Sequence, residues 1–169
     1  MGGHMSENKL KFRRDSQETK ELLKWWGELQ DQFRGERAML RRCSTLTEVV
    51  FSPAYHRLRL SVGRFGSVKD DELALVVGLA ARVKDPNDGI TIAEQMAAGN
   101  DKAKVSGLRF RRLLKVKEKE DLYTSMGRII AMLGGAVNLQ SLAQSVYFWN
   151  DITRKQWAFD YYSKAPGEA

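Results

Sequence analysis

The sequence predicts an all-α fold, a compact multi-helix bundle of about eight or nine helices, and three observations predict it. Apolar residues recur at three- and four-residue spacing along most of the chain, the period of a helix with one buried face. Short polar residues stand just ahead of those runs, at Ser52, Ser106, Asn138 and Asp151, where a side-chain oxygen satisfies the free N–H groups of a first turn. No segment alternates apolar with polar residues long enough to make a strand.

Taken in order, Asp15-x-x-Glu18 has the form of a capping box, and Leu22, Trp26, Leu29 and Phe33 then share a helical face. Gly35 closes that helix, and a short basic helix runs on to Arg42. Ser52 followed by Pro53 is an N-cap with proline at the first helical position, opening a helix that ends near Gly63. Asp70, Asp71 and Glu72 place three carboxylates where a helix dipole favours them, and the helix they open is apolar nearly all round to about Lys84. It is therefore the central, buried one. A turn cluster at residues 85–89 precedes a short helix over 92–98 and a polar loop over 99–105. Ser106 caps a basic helix over 108–117, and a helix over 118–133 buries Leu122, Met126, Ile129, Ile130 and Leu133. After Gly134-Gly135, Asn138 caps a helix carrying Leu139, Leu142, Val146 and Trp149, and Asp151 caps the last, through Tyr162.

The chain has 169 residues, 43 % apolar and 29 % charged, which is globular composition and excludes a disordered polymer. Met-Gly-Gly-His-Met at the start reads as a tag remnant. The expected organisation is a tag remnant and flexible N-terminus over 1–15, one helical domain over 16–163, with possible packed halves at 16–99 and 105–163, and a flexible tail over 164–169. No apolar run approaches the ~20 residues of a membrane span, and residues 9–24 are too charged for a signal peptide. Cys43 is the single cysteine, so no internal disulfide forms, which fits a reducing, cytoplasmic setting.

The net charge is +7, and its placement says more than its size. Residues 34–64 carry +5, all of the basic side chains being arginine, and residues 102–117 carry +7 without one carboxylate. Everything else is therefore slightly acidic, at −5 in total. Two positive segments on such a body are the footprint expected of a polyanion-binding protein. On the helix after Ser106, Phe110, Leu113 and Leu114 cluster on one side, Arg111, Arg112 and Lys115 on the other, with Arg109 at the border. Guanidinium groups suit phosphate because each offers a planar fork of donors. In the first segment Arg37, Arg41 and Arg42 share a face, and Arg64 sits at the tip of a Gly63–Gly66 turn. The two segments are expected to form one continuous track.

Other chemistry finds no support. His56 is the one histidine outside the tag remnant, so neither a histidine metal cluster nor a Ser–His–Asp triad can be assembled. The 85–88 loop lacks the glycine and terminal glutamate of an EF-hand. Trp25, Trp26, Trp149, Trp157, Tyr161 and Tyr162 could offer stacking platforms for bases, but their helical spacing favours core packing for most of them. No catalytic residue, cofactor, metal or small-molecule substrate is expected.

Read in order, the pair Trp25-Trp26, the stretch Arg37-Ala-Met-Leu-Arg41-Arg42-Cys43 and the stretch Ser52-Pro-Ala-Tyr-His-Arg-Leu58 resemble the CasB family. The segment Arg109-Phe-Arg-Arg-Leu-Leu114, Arg128 on the next helix and the ending from Trp149 to Tyr162 extend the resemblance over most of residues 16–162. CasB is the small subunit of the type I-E CRISPR complex Cascade. The resemblance implies a non-enzymatic helical protein whose two copies sit beside the guide-RNA backbone subunits, stabilising the guide RNA–target DNA hybrid and the displaced DNA strand. By position it implies nucleic-acid contacts at Arg41, Arg42, Arg57, Arg109, Arg112 and Arg128; the charge pattern itself adds Arg64, Arg111 and Lys115. Two other readings stay open from the residues: a helical regulator with residues 108–117 as its recognition helix in a DNA groove, and an adaptor whose basic patches bind an acidic protein.

Overall fold

Among residues 8–166, which the computed structural model describes, there are ten helices and no strand. They are α1 (Gln17–Asp31), α2 (Arg34–Arg42), α3 (Leu46–Val50), α4 (Pro53–Val62), α5 (Asp70–Ala80), α6 (Ile92–Ala97), α7 (Gly107–Leu114), α8 (Lys119–Met132), α9 (Leu139–Tyr147) and α10 (Asp151–Lys164). The Met-Gly-Gly-His-Met start and the last three residues of the tail lie outside the described residues.

α5 is the hub. Every residue from Leu73 to Ala80 is buried, as its all-round apolar surface requires, and α3, α8 and α9 pack against it. Gly78 lets two of them come close: a Cβ there would stand 2.7 Å from the Tyr123 ring of α8 and 3.0 Å from Val49 of α3. The helix stops at Ala80 and not near Lys84, because the backbone beyond it is captured elsewhere. Lys84 and Asp85 donate their N–H groups to the Gly135 carbonyl, and Val137 donates back to Asp85. Gly134 and Gly135 make that possible with φ of +66° and +80°, the left-handed region that side chains disfavour.

Several caps fall one residue from their expected place. Ser16, not Asp15, caps α1 by accepting from Thr19 N–H, and Asn150, not Asp151, caps α10 by accepting from Thr153 N–H. Ser52, Ser106 and Asn138 cap α4, α7 and α9 as their positions predict. α3, which the sequence pattern does not announce, opens on a capping box between Thr45 and Glu48. Gly35 lies inside α2 and does not close α1. α7 ends at Leu114 because the chain turns inward there, where the Val116 carbonyl accepts from the Trp149 indole at 2.8 Å.

Packing begins before residue 16, so residues 8–15 are not a loose arm. Leu10 and Phe12 are buried, the latter completely. Glu18, which would complete the expected capping box, instead turns its carboxylate to the N–H groups of Lys11 and Phe12. Phe12 itself has φ of +49°, a conformation costly for a bulky side chain. It is held there by Glu18, by the Gln140 amide donating to its carbonyl at 2.7 Å, and by its ring against Tyr147. One hydrophobic cluster then runs from Leu10 to Tyr161. The two suggested halves interlock through it, α5 with α8 and α9, and α6 with α10. Among the described residues, no helix is long and apolar enough to cross a membrane.

Candidate nucleic-acid interface

α7 presents its cations as its periodicity requires. Phe110 stacks on Tyr161 of α10 with ring centres 4.0 Å apart and planes nearly parallel, and Leu113 is buried beside it. Arg109, Arg111, Arg112 and Lys115 occupy the remaining surface, all four exposed, with Leu114 half-buried between them. Arg111 reaches the Tyr162 hydroxyl at 3.5 Å. Of the aromatic residues expected in the core, Trp25, Trp157 and Tyr161 are buried, Trp26 and Trp149 partly so, and Tyr162 is exposed.

The first basic segment divides. Arg57 donates to Glu36 at 2.8 Å and lies over the Phe33 ring at 3.7 Å. Arg59 pairs with Asp70 at 2.6 Å, and Arg64 with Glu21 at 3.5 Å. Arg41 and Arg42, by contrast, stand exposed in the last turn of α2, where the helix dipole favours cations. Crowding shows next to them: burial, and secondarily the Arg41 charge, lowers the pKa of Arg37.

Arg41 shares its surroundings with cations from two other parts of the chain. A concavity of about 270 Å³ is lined by Arg41, Arg82, Lys84, Gly127, Ile130, Ala131 and the Gly134–Gly135 turn. A second, of about 360 Å³, adjoins it across Arg82, Gly127 and Ala131 and adds Arg128, Ser44, Tyr123 and Thr124. No carboxylate among the described residues lines either one. Among the described residues, none is within ion-pair distance of Arg41, Lys84 or Arg128. Gly127 lies beneath the Arg82 guanidinium, where a Cβ would stand 3.4 Å from Nη1.

Arg82 organises this cluster, and charge patterning along the sequence does not single it out. Its guanidinium donates to the Cys43 carbonyl at 3.2 Å and the Tyr123 hydroxyl at 3.1 Å, while Tyr123 donates to the same carbonyl at 2.7 Å. The end of α2 is thereby tied to α8. Burial raises the Tyr123 pKa, and the Arg82 hydrogen bond and charge oppose that rise. The one available signal was an arginine ending the apolar run Leu73–Ala81, followed two residues on by Lys84.

So the structure gathers Arg41 and Arg128 from the expected set, adds Arg82 and Lys84, and seats Arg109, Arg111, Arg112 and Lys115 separately on α7 against α10. It turns Arg57 and Arg64 toward carboxylates. The largest concavity described, about 590 Å³, lies between α1, α9 and the 86–91 loop and mixes Arg14 with Asp15, Asp88 and Glu94. Its charge balance is wrong for phosphate.

Residues 36–162 match the family model described as CRISPR-associated protein Cse2. The chain belongs to the Cse2 family. Among solved structures, this Cse2 chain is similar to CasB from Thermus thermophilus, with 23 % identity, a TM-score of 0.64, and coverage of 88 % of this chain and 99 % of that one. A second structure from the same organism, a CRISPR-associated protein of the Cse2 family, matches at 25 % identity and TM-score 0.63 over the same shares. A chain in the crystal structure of E. coli Cascade bound to a PAM-containing double-stranded DNA target matches at 18 % identity and TM-score 0.64, over 83 % of this chain and 93 % of that one. No match was found among curated proteins.

Proposed function

We propose that this Cse2-family chain is the small subunit of a type I-E Cascade complex in the cytoplasm. In this reading it is a non-catalytic component that stabilises the guide RNA–target DNA hybrid and the displaced strand by neutralising their phosphates. Its partners are then those strands, the other Cascade subunits and a second copy of itself. The observation that carries the reading is the convergence of Arg41, Arg82, Lys84 and Arg128 around small residues, with no carboxylate in the lining among the described residues.

The energetics suit such a role. Opening target DNA against a guide exchanges one duplex for another of similar stability, so backbone contacts decide the balance. Phosphate contacts need rigidly placed cations and no acid–base machinery, and they carry no base sequence. A recognition helix usually mixes arginine with the amide or acidic side chains that read adenine and cytosine edges, whereas the exposed positions of α7 are three arginines and one leucine.

The test is target-DNA affinity of reconstituted Cascade carrying either the wild-type chain or the Arg41→Ala/Lys84→Ala/Arg128→Ala variant, across a salt series. Log affinity should fall less steeply with log salt in the variant, by roughly 0.7–0.9 for each phosphate no longer neutralised. The loss should be equal on unrelated guide–target pairs. Unchanged affinity and slope, with the variant fully incorporated, would overturn the assignment.

A further inference from the structure

α10 carries a ridge that packing among the described residues uses only at its Tyr162 end. Ile152, Lys155, Phe159 and Tyr162 follow one another at three- and four-residue steps, which keeps them on one side of the helix. Trp157 and Tyr161, on the opposite side, are 3 % and 0 % exposed. On the ridge, Ile152 is 80 % exposed, Phe159 72 % and Tyr162 40 %. α7 lies alongside, fixed by Phe110 against both tyrosines and by Arg111 at the Tyr162 hydroxyl. Leu108, 53 % exposed, sits among its cations.

We propose that the α7–α10 face is a platform for single-stranded nucleic acid, with unpaired bases stacking on Phe159 and Tyr162 while the α7 cations and Lys155 follow the phosphates. The inference rests on the nucleic-acid reading of this chain, and goes beyond it to a second face and to contacts with bases. Charge complementarity selects the occupant. From residue 102 to residue 117 there is no carboxylate, and nearby acids on α10 are engaged, Asp151 by Arg154 and Asp160 by Thr91 and Gln156. The centre of a protein–protein interface is depleted in charge, lysine above all, whereas here a lysine separates the exposed ring from the exposed isoleucine. A duplex hides its base faces. Only an unpaired strand offers both phosphate and an open π-face, and stacking on aromatic rings tolerates any sequence.

The full-length protein is titrated at low salt with fluorescent oligothymidylate and with an abasic oligomer of equal length, as wild type, Phe159→Ala and Phe159→Trp. The wild type should prefer the base-bearing strand by at least about fivefold, the lower end of one base–aromatic stack. Phe159→Ala should remove about that factor without changing affinity for the abasic strand, and Phe159→Trp should retain it. Equal binding of both oligomers by the wild type would overturn the platform while leaving the phosphate-based function intact. Loss of Cascade incorporation in Phe159→Ala, with its strand preference unaltered, would overturn it in favour of a protein-docking ridge. Absence of salt-sensitive binding to either oligomer would overturn both.

Discussion

Arg57, Arg59 and Arg64 on and after α4 each meet a carboxylate, from α2, α5 and α1 respectively. Among the described residues, Arg41, Lys84 and Arg128 around the α2–α5–α8 concavity meet none. All six are surface cations, yet the first three are spent inside the fold and the second three are left without an ion-pair partner among the described residues. Local charge density in the sequence therefore measures how many cations a segment has, and tertiary pairing decides how many remain available. In this molecule the pairing divides one basic segment into a structural part and an open part.

The sharpest challenge to this division comes from α7. Replacing Arg109, Arg111 and Arg112 together by alanine should lower the salt slope of target binding by Cascade by roughly 0.7–0.9 for each phosphate no longer neutralised. The fold should survive, since Phe110, Leu113 and Leu114 still pack, and circular dichroism checks that. The matching replacement of Arg57, Arg59 and Arg64 should leave the slope almost unchanged. If the α4 variant loses as much as the α7 variant, pairing does not set availability.

Next in size is Arg82→Ala. It removes charge-assisted bonds to the Cys43 carbonyl and the Tyr123 hydroxyl, which should cost about 2 kcal/mol of stability in a denaturant titration. Tyr123 keeps its own bond to Cys43, so the protein should fold. Binding should weaken further as Arg41 loses its fixed spacing from Arg128, and stability with binding both unmoved would remove Arg82 from the site.

Smaller still, and opposite in sign, is Glu36→Ala. It releases Arg57 from its partner at 2.8 Å, so affinity for nonspecific DNA should rise a few-fold and the salt slope should steepen by up to roughly 0.9. A fall in affinity would mean that the Arg57 geometry set by Glu36 is what binds.

The smallest effect concerns acid. The Arg59 hydrogen bond holds the Asp70 carboxyl below its ordinary range, and the Tyr55 hydroxyl assists. Stability from this pair is thus present above the unfolded carboxylate pKa and fades as pH falls through the lowered folded value. Because Asp70 and Arg59 are both well exposed, Asp70→Asn should cost less than ~1 kcal/mol near neutral pH. The difference from wild type should vanish in strong acid, as thermal melts across pH would show.

The helices were legible because their causes are local. Ser52-Pro53, Ser106 and Asn138 announce first turns within four residues, and the apolar run after Glu72 announces its own burial. The site was less legible because its causes are distant. Arg57 finds Glu36 on a different helix, and Arg82 reaches a carbonyl 39 residues away, neither of which leaves a mark in periodicity. Arg41 and Arg128 stood out through the family resemblance and local charge, but the concavity that unites them depends on how α8 crosses the end of α5. α3 escaped notice for a different reason: its capping box opens a helix of only five residues, too short for a period to register.

The Phe12 clasp also has a history in time. Its carbonyl waits for the amide of Gln140, 128 residues further along the chain, and its ring waits for Tyr147. At ribosomal rates of roughly 5–20 residues per second, Phe12 is made on the order of 10 s before those partners exist. Glu18 is available almost at once and can bend the segment early, but the left-handed turn gains its remaining anchors only when α9 arrives. Phe12 is therefore made long before α9 and among the last residues to lock.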